Sequence, residues 1–182
     1  PCRRGAGHAA QRLDPMQTSK DTAMPLTAHL AGALSITDPV EKAGQTRLLV
    51  TGWREGSILG LGTTTPPDWP GRPARPELKP PREVPRRRIG PSAGGRIALL
   101  HAIAHIELNA IDLALDMACR YADADLPRAF FDDWLGVADD EARHFLMLND
   151  RLAKLDATSG DLPAHDGLWQ AAQETAHDLL AR

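Results

Sequence analysis

Two long helical patterns separated by five residues, Ala122 to Leu126, constrain this chain more than any other feature. The first runs from about Arg96 to Tyr121 and the second from about Pro127 to Leu155. So short a link makes the two helices antiparallel neighbours. At about 100° per residue, the first carries an apolar stripe of Leu100, Ile103, Ala104, Ala110, Ile111, Ala114 and Ala118. The second carries Phe130, Trp134, Val137, Phe145, Leu148, Leu152 and Leu155. Helices of this kind are stable only with their stripes packed against one another, so the expectation is an all-α fold.

Each stripe contains an acid. Glu107 has Ile103 one turn before it and Ala110 and Ile111 one turn after, so helix packing buries its carboxylate. Glu141 is central on the second stripe, with His144 three residues on along its flank. A buried carboxylate must be protonated, paired or bound to a metal. Pairing with Arg96, Arg143 or Arg151 is one solution. The other is metal ligation: Glu-x-x-His lets one carboxylate bridge two ions while the imidazole ligates one, and a Glu from the neighbouring helix adds an oxygen. Oxygen and imidazole donors without thiolate suit iron or manganese. His101 and His105 are spaced for a shared ion, but both lie more than about 100° around the helix from Glu107. His165 and His177 read as surface or cap residues, and Asp132-Asp133 and Asp139-Asp140 as a solvated face.

The flanking segments are less regular. Residues 1–23 have no helical period and read as a disordered tail. Residues 24–91 form a second unit. Two short helices, Pro25 to Gly56, break at Asp38-Pro39-Val40-Glu41, where Asp caps, Pro starts and Glu closes a capping box. An extended strap follows: nine of the 26 residues from Pro66 to Pro91 are proline, which rules out regular helix there. Trp69 is its expected anchor. Residues 92–182 complete the chain with the two long helices and a third from about His165 to the end, on Leu168, Trp169, Ala172, Ala176, Leu179 and Leu180.

Charge is unevenly spread. Asp68 to Arg96 holds eight basic and three acidic residues, whereas Ile97 to Arg182 holds six basic and sixteen acidic. The basic strap can pack on its own acidic body, or bind an anionic partner such as RNA through Arg86, Arg87 and Arg88. Cys2 and Cys119 have no metal or redox spacing, and a disulfide between them is not expected. No stretch approaches the roughly 18 apolar residues of a membrane helix, and no signal peptide is visible, so the expected location is cytoplasmic. Met16 and Met24 are candidate starts. Leu179 to Arg182 lacks a helix stop signal, which reads as truncation.

The segments His101-Ala-Ile-Ala-His-Ile-Glu107-Leu-Asn-Ala-Ile-Asp112 and Phe131-Asp-Asp-Trp-Leu-Gly-Val-Ala-Asp-Asp-Glu141-Ala-Arg-His144-Phe145 resemble a bacterial ferritin-like family of unknown function. Asp161 to Trp169 and Pro70 to Pro76 fit the same pattern, and the resemblance spans roughly Leu26 to Arg182. It implies a ferritin-like four-helix core, here incomplete: two core helices and part of a third. It further implies a di-iron or manganese centre in which Glu107 is a terminal ligand, Glu141 a bridging ligand and His144 a terminal imidazole. The complete form would be a di-metal oxidoreductase or oxygen-activating enzyme, and this chain alone inactive. The pattern's further Glu helix and second Glu-x-x-His are not in this chain. A symmetric homodimer through exposed helix faces would restore the ligand set; a fragment is the other account. A non-catalytic helical interaction module on the same scaffold is the alternative function.

Overall fold

In the computed structural model, residues 24–84 and 90–182 are described. The expected tail, Cys2 and the Arg86-Arg87-Arg88 run lie outside the described residues. Helix α1 spans Leu26–Ser35 and α2 Pro39–Arg54. A two-residue strand, β1, spans Leu78–Lys79; the long helices are α3, Ala93–Arg120, and α4, Arg128–Ala153. Strand β2, Ala164–His165, and helix α5, Gly167–Thr175, complete the order.

The helix starts follow local chemistry. The Asp38 carboxylate accepts the Glu41 backbone N–H at 2.8 Å, and Pro39 occupies the first position of α2. Ser92 caps α3 by accepting from Gly95 N at 3.1 Å. Between α3 and α4 the chain reverses through Asp125 at φ 49°, a left-handed conformation that Asp tolerates better than most residues. The result is the expected antiparallel pair.

Helices α1 and α2 lie over this pair, α1 mainly against α3 and α2 mainly against α4. One hydrophobic cluster joins all four, with Leu30 and Leu34 from α1, Val50 and Trp53 from α2, Ile111 and Leu115 from α3, and Leu135 and Phe145 from α4. The buried line of α4 is Phe131, Leu135, Ala138, Ala142, Phe145 and Leu152. It is rotated from the expected stripe: Val137 is 40% exposed, and Phe130, Trp134 and Leu148 are half-buried at the rim. The small side chains of Ala138 and Ala142 let neighbouring helices approach closely, which a pattern weighted toward large apolar residues passes over. Helix α3 is long and apolar enough to cross a membrane by length and composition, contrary to the expectation above. In this fold it is the central core helix.

The strap is held by polar contacts. Gly71 N–H donates to the Leu34 carbonyl at 2.7 Å, and a Cβ there would meet the Ser35 and Ile36 carbonyl oxygens, so only glycine fits. Arg72 turns inward onto the body. Trp69, the expected anchor, is 53% exposed; Gly71 and Arg72 take that role. Further along, β1 pairs in parallel with β2, Leu78 opposite Ala164 and Lys79 opposite His165, so the chain is mostly helical rather than all-α. The third predicted helix is also shorter than expected. Helix α5 stops at Thr175, because Tyr121 donates its hydroxyl to the Ala176 carbonyl and Asp178 accepts the Leu180 N–H at 2.8 Å. The last residues form turns, and Arg182 reaches back to Asp116. Buried Cys119 has its thiol pushed up to about 12, chiefly by desolvation, which makes it unreactive.

Candidate metal centre

Glu107 is the fifteenth of the 28 residues of α3, and Glu141 the fourteenth of the 26 of α4. In an antiparallel pair these midpoints stand at one height. There the structure brings together all three residues singled out by spacing: one ligand atom from each of Glu107, Glu141 and His144 lies within 4.8 Å of the others. His144 Nδ1 is 3.2 Å from Glu141 Oε2 and 3.8 Å from Glu107 Oε2. The side chains are 18% exposed at Glu107, 24% at Glu141 and 39% at His144, so the cluster occupies the rim of the α3–α4 contact. Its inner wall is Ala104, Ile111, Ala138 and Ala142, all fully buried.

Glu107 shows the electrostatic consequence. Its carboxyl is pushed up to about 7, first by desolvation and then by the hydrogen bond and charge of Glu141, while His144 pulls the other way. Without a cation, Glu107 is therefore the acid that holds its proton near neutral pH. Of the alternative arginine partners, Arg143 pairs with Asp140 at 2.9 Å and Arg96 donates to the Pro91 carbonyl at 2.7 Å. Among the described residues, no Lys or Arg ion pair reaches Glu107 or Glu141. Two carboxylates and an imidazole with no Lys or Arg ion pair form a donor set that could hold a metal ion.

His101 and His105 belong to a different face. With Asn109, Asp112 and Asp116 they form a buried polar ladder along α3, away from Glu107. His101 Nε2 accepts from Leu162 N at 3.1 Å, and His105 Nε2 lies 2.9 Å from the His165 carbonyl. Asn109 accepts from Arg72 at 2.8 Å. Asp112 takes Lys42 Nζ and Arg72 Nη1, each at 2.6 Å. Asp116 binds Arg120 at 2.7 Å and also Arg182. Burial raises the Asp112 carboxyl and lowers the Lys42 ammonium, each against the pull of its partner. The spacings of four, four, three and four are a helical period in polar residues, a signal present in the sequence but eclipsed by the apolar stripe.

The acidic pairs on α4 are not simply solvated. Asp139 receives Arg47 at 3.1 Å and Arg54 at 2.9 Å, and Asp132 accepts the Trp53 indole N–H at 2.7 Å. These contacts fasten α2 to α4. A cavity of about 510 Å³ lies between α1 and α2 beside His29, Gly32 and Leu49, remote from the acid cluster.

Residues 35–182 match the family described as protein of unknown function, DUF455. An uncharacterized protein of Haemophilus influenzae is 47% identical over 115 residues, which take in 60% of this chain and 40% of that protein. The match thus spans less than half of the relative's length. No solved structure matches the chain.

Proposed function

The chain belongs to the DUF455 family of proteins of unknown function, and we propose that Glu107, Glu141 and His144 are ligands of a ferritin-like di-metal site, with iron the preferred metal and manganese the alternative. One observation carries this reading: three donors on two antiparallel core helices converge to within 4.8 Å at the helix midpoints. By the resemblance, Glu107 and His144 would hold the metal as terminal ligands and Glu141 as the bridging carboxylate. The bound metal would supply redox chemistry, including activation of dioxygen, so the complete site is that of a cytoplasmic oxidoreductase. That activity is proposed for a protein of the relative's greater length, to which this chain contributes one Glu and one Glu-x-x-His.

The protein's own groups have separate tasks. Glu107, pushed up to about 7, holds its proton more tightly than an ordinary carboxyl and would have to release it to ligate a cation. Glu141 accepts from the His144 ring when that nitrogen is protonated, at 3.2 Å, and so orients the imidazole. The alanines and Ile111 behind the cluster exclude water from its inner side.

The test is metal retention. Metal-free full chain is loaded with Fe(II) under anaerobic conditions or with Mn(II), desalted and analysed for metal. Roughly one ion per chain, lost in Glu141→Ala, is the expected result. A folded chain that retains neither metal would overturn the reading. In that case the half-exposed apolar rim, with Ile106 at 52% and Val137 at 40% exposure, favours the second reading, a non-catalytic helical interaction module.

A further inference from the structure

The cavity between α1 and α2 has no task in the metal reading. Its floor is apolar, with Ala33, Leu49 and Ile58 all buried. At its rim Leu48 is 66% and Met24 50% exposed, so large apolar side chains border the opening rather than close it. Gly32 lies inside α1, where glycine destabilises a helix relative to alanine. Packing within the chain does not require it: among the described residues nothing lies within 4 Å of the place a Cβ would take. The glycine instead leaves the groove open.

Three longer polar side chains line the same groove, His29 from α1 and Glu41 and Gln45 one turn apart on α2. Among the described residues no hydrogen bond or ion pair engages these side chains. An apolar cavity with a few uncommitted polar groups is the usual form of a small-ligand site. The polarity is also graded. Helices α1 and α2 form a hairpin whose far ends meet, Leu26 N–H donating to the Gly60 carbonyl. Glu41 and Gln45 stand near the hairpin turn, whereas Met24 and Ile58 stand toward the far end. The groove follows α1 for at most about 15 Å, which suits a small molecule better than a long partner helix. Charge then selects the ligand. Among the described lining residues Glu41 is the one carboxylate, and there is no Lys or Arg. We propose that this groove binds an amphiphilic amine, its apolar body on the Ala33, Leu49 and Ile58 floor and its ammonium against Glu41. Gln45 offers a carbonyl oxygen beside the same head group. An anionic amphiphile meets the Glu41 charge with its own, and a neutral one gains nothing from it.

The probe is octylammonium, titrated below its aggregation concentration into the full chain without metal and followed by amide shifts in two-dimensional NMR. The expected result is saturable binding, with shifts confined to α1, α2 and residues 57–62. Each methylene added from hexylammonium to octylammonium tightens binding about two- to fourfold. Octanoate binds roughly fivefold or more weakly, and salt narrows the difference. Gly32→Leu, which fills open space on an exposed helix face, abolishes binding with an unchanged circular dichroism spectrum. Glu41→Gln removes the preference for octylammonium over octanol and keeps the residual apolar binding. Absence of saturable octylammonium binding overturns the inference, as does octanoate bound equally well or binding that survives Gly32→Leu. A dimer that closes the groove, indifferent to octylammonium and lost in Gly32→Leu, also overturns it. None of these outcomes touches the metal reading, which is tested by metal retention alone.

Discussion

Asp112→Asn is expected to remove about 3–5 kcal/mol of stability although the two side chains have nearly the same shape. Asp112 is fully buried and binds two cations at 2.6 Å each, Lys42 and Arg72. Asparagine keeps the packing but not the charge. Lys42, 1% exposed, still donates to the Leu34 carbonyl at 3.2 Å and the Gly71 carbonyl at 2.9 Å, but it becomes a buried ammonium without a counter-ion. Arg72 is 16% exposed and keeps the Asn109 amide oxygen at 2.8 Å and Asp166 at 3.7 Å, so it is less affected. Most of the loss therefore resides at Lys42. It measures an abandoned charge rather than the net worth of the pair, and against a typical domain stability of about 5–15 kcal/mol it is large. Urea unfolding at pH 7 followed by circular dichroism gives the number. The double variant Lys42→Met with Asp112→Leu is expected to lose less than Asp112→Asn, because no buried ammonium is left behind and Arg72 keeps Asn109 and Asp166. An Asp112→Asn protein within about 1 kcal/mol of the parent, or a double variant at least as damaged as the single, would refute this account.

Two further outcomes follow from named atoms. Glu107 is pushed up to about 7 in the fold from an ordinary 4.5, so its stabilising contribution is complete below about pH 4.5 and is lost as pH rises through 7. Glu107→Gln is thus expected to match the parent in acid and to exceed it by about 1–2 kcal/mol at pH 8, less than the full worth of the shift because the carboxyl is part-open to water; denaturant midpoints across pH, equal at every pH, would contradict it. Gly71→Ala places a methyl 2.6 Å from the Ile36 carbonyl oxygen, where backbone cannot yield, and is expected to cost about 1–3 kcal/mol by the same unfolding assay.

The parts of the fold legible in sequence were those fixed locally. Asp38-Pro39-Val40-Glu41 announces α2 through its own cap, and the five-residue link dictates the α3–α4 pairing. Glu107, Glu141 and His144 meet because helix period and antiparallel pairing are enough to align them. Features that depend on distant partners were hidden. The inner line of α4 runs through Ala138 and Ala142, and alanine reveals its burial only when α2 and α3 are in place. The strap's pairing with β2 joins residues far apart through two-residue strands, too short to carry a period. Lys42 lies on α2, and nothing near it in sequence foretells a fully buried ammonium. The end of α5 is set by Tyr121, more than fifty residues upstream.

The polar ladder on α3 bears on how the chain reaches this state. Closure of the α3–α4 hairpin needs only a short loop, whereas the ladder's partners Arg72 and Lys42 lie 37 residues from Asn109 and 70 residues from Asp112. Contacts so distant in sequence form late. During the interval the hairpin can already align its acids while the opposite side of α3 still faces water. An apolar strip there would be a surface for aggregation. His101, His105, Asn109, Asp112 and Asp116 instead make that side polar, so among the described helices the one long and apolar enough to cross a membrane presents no apolar strip there before the strap is in place.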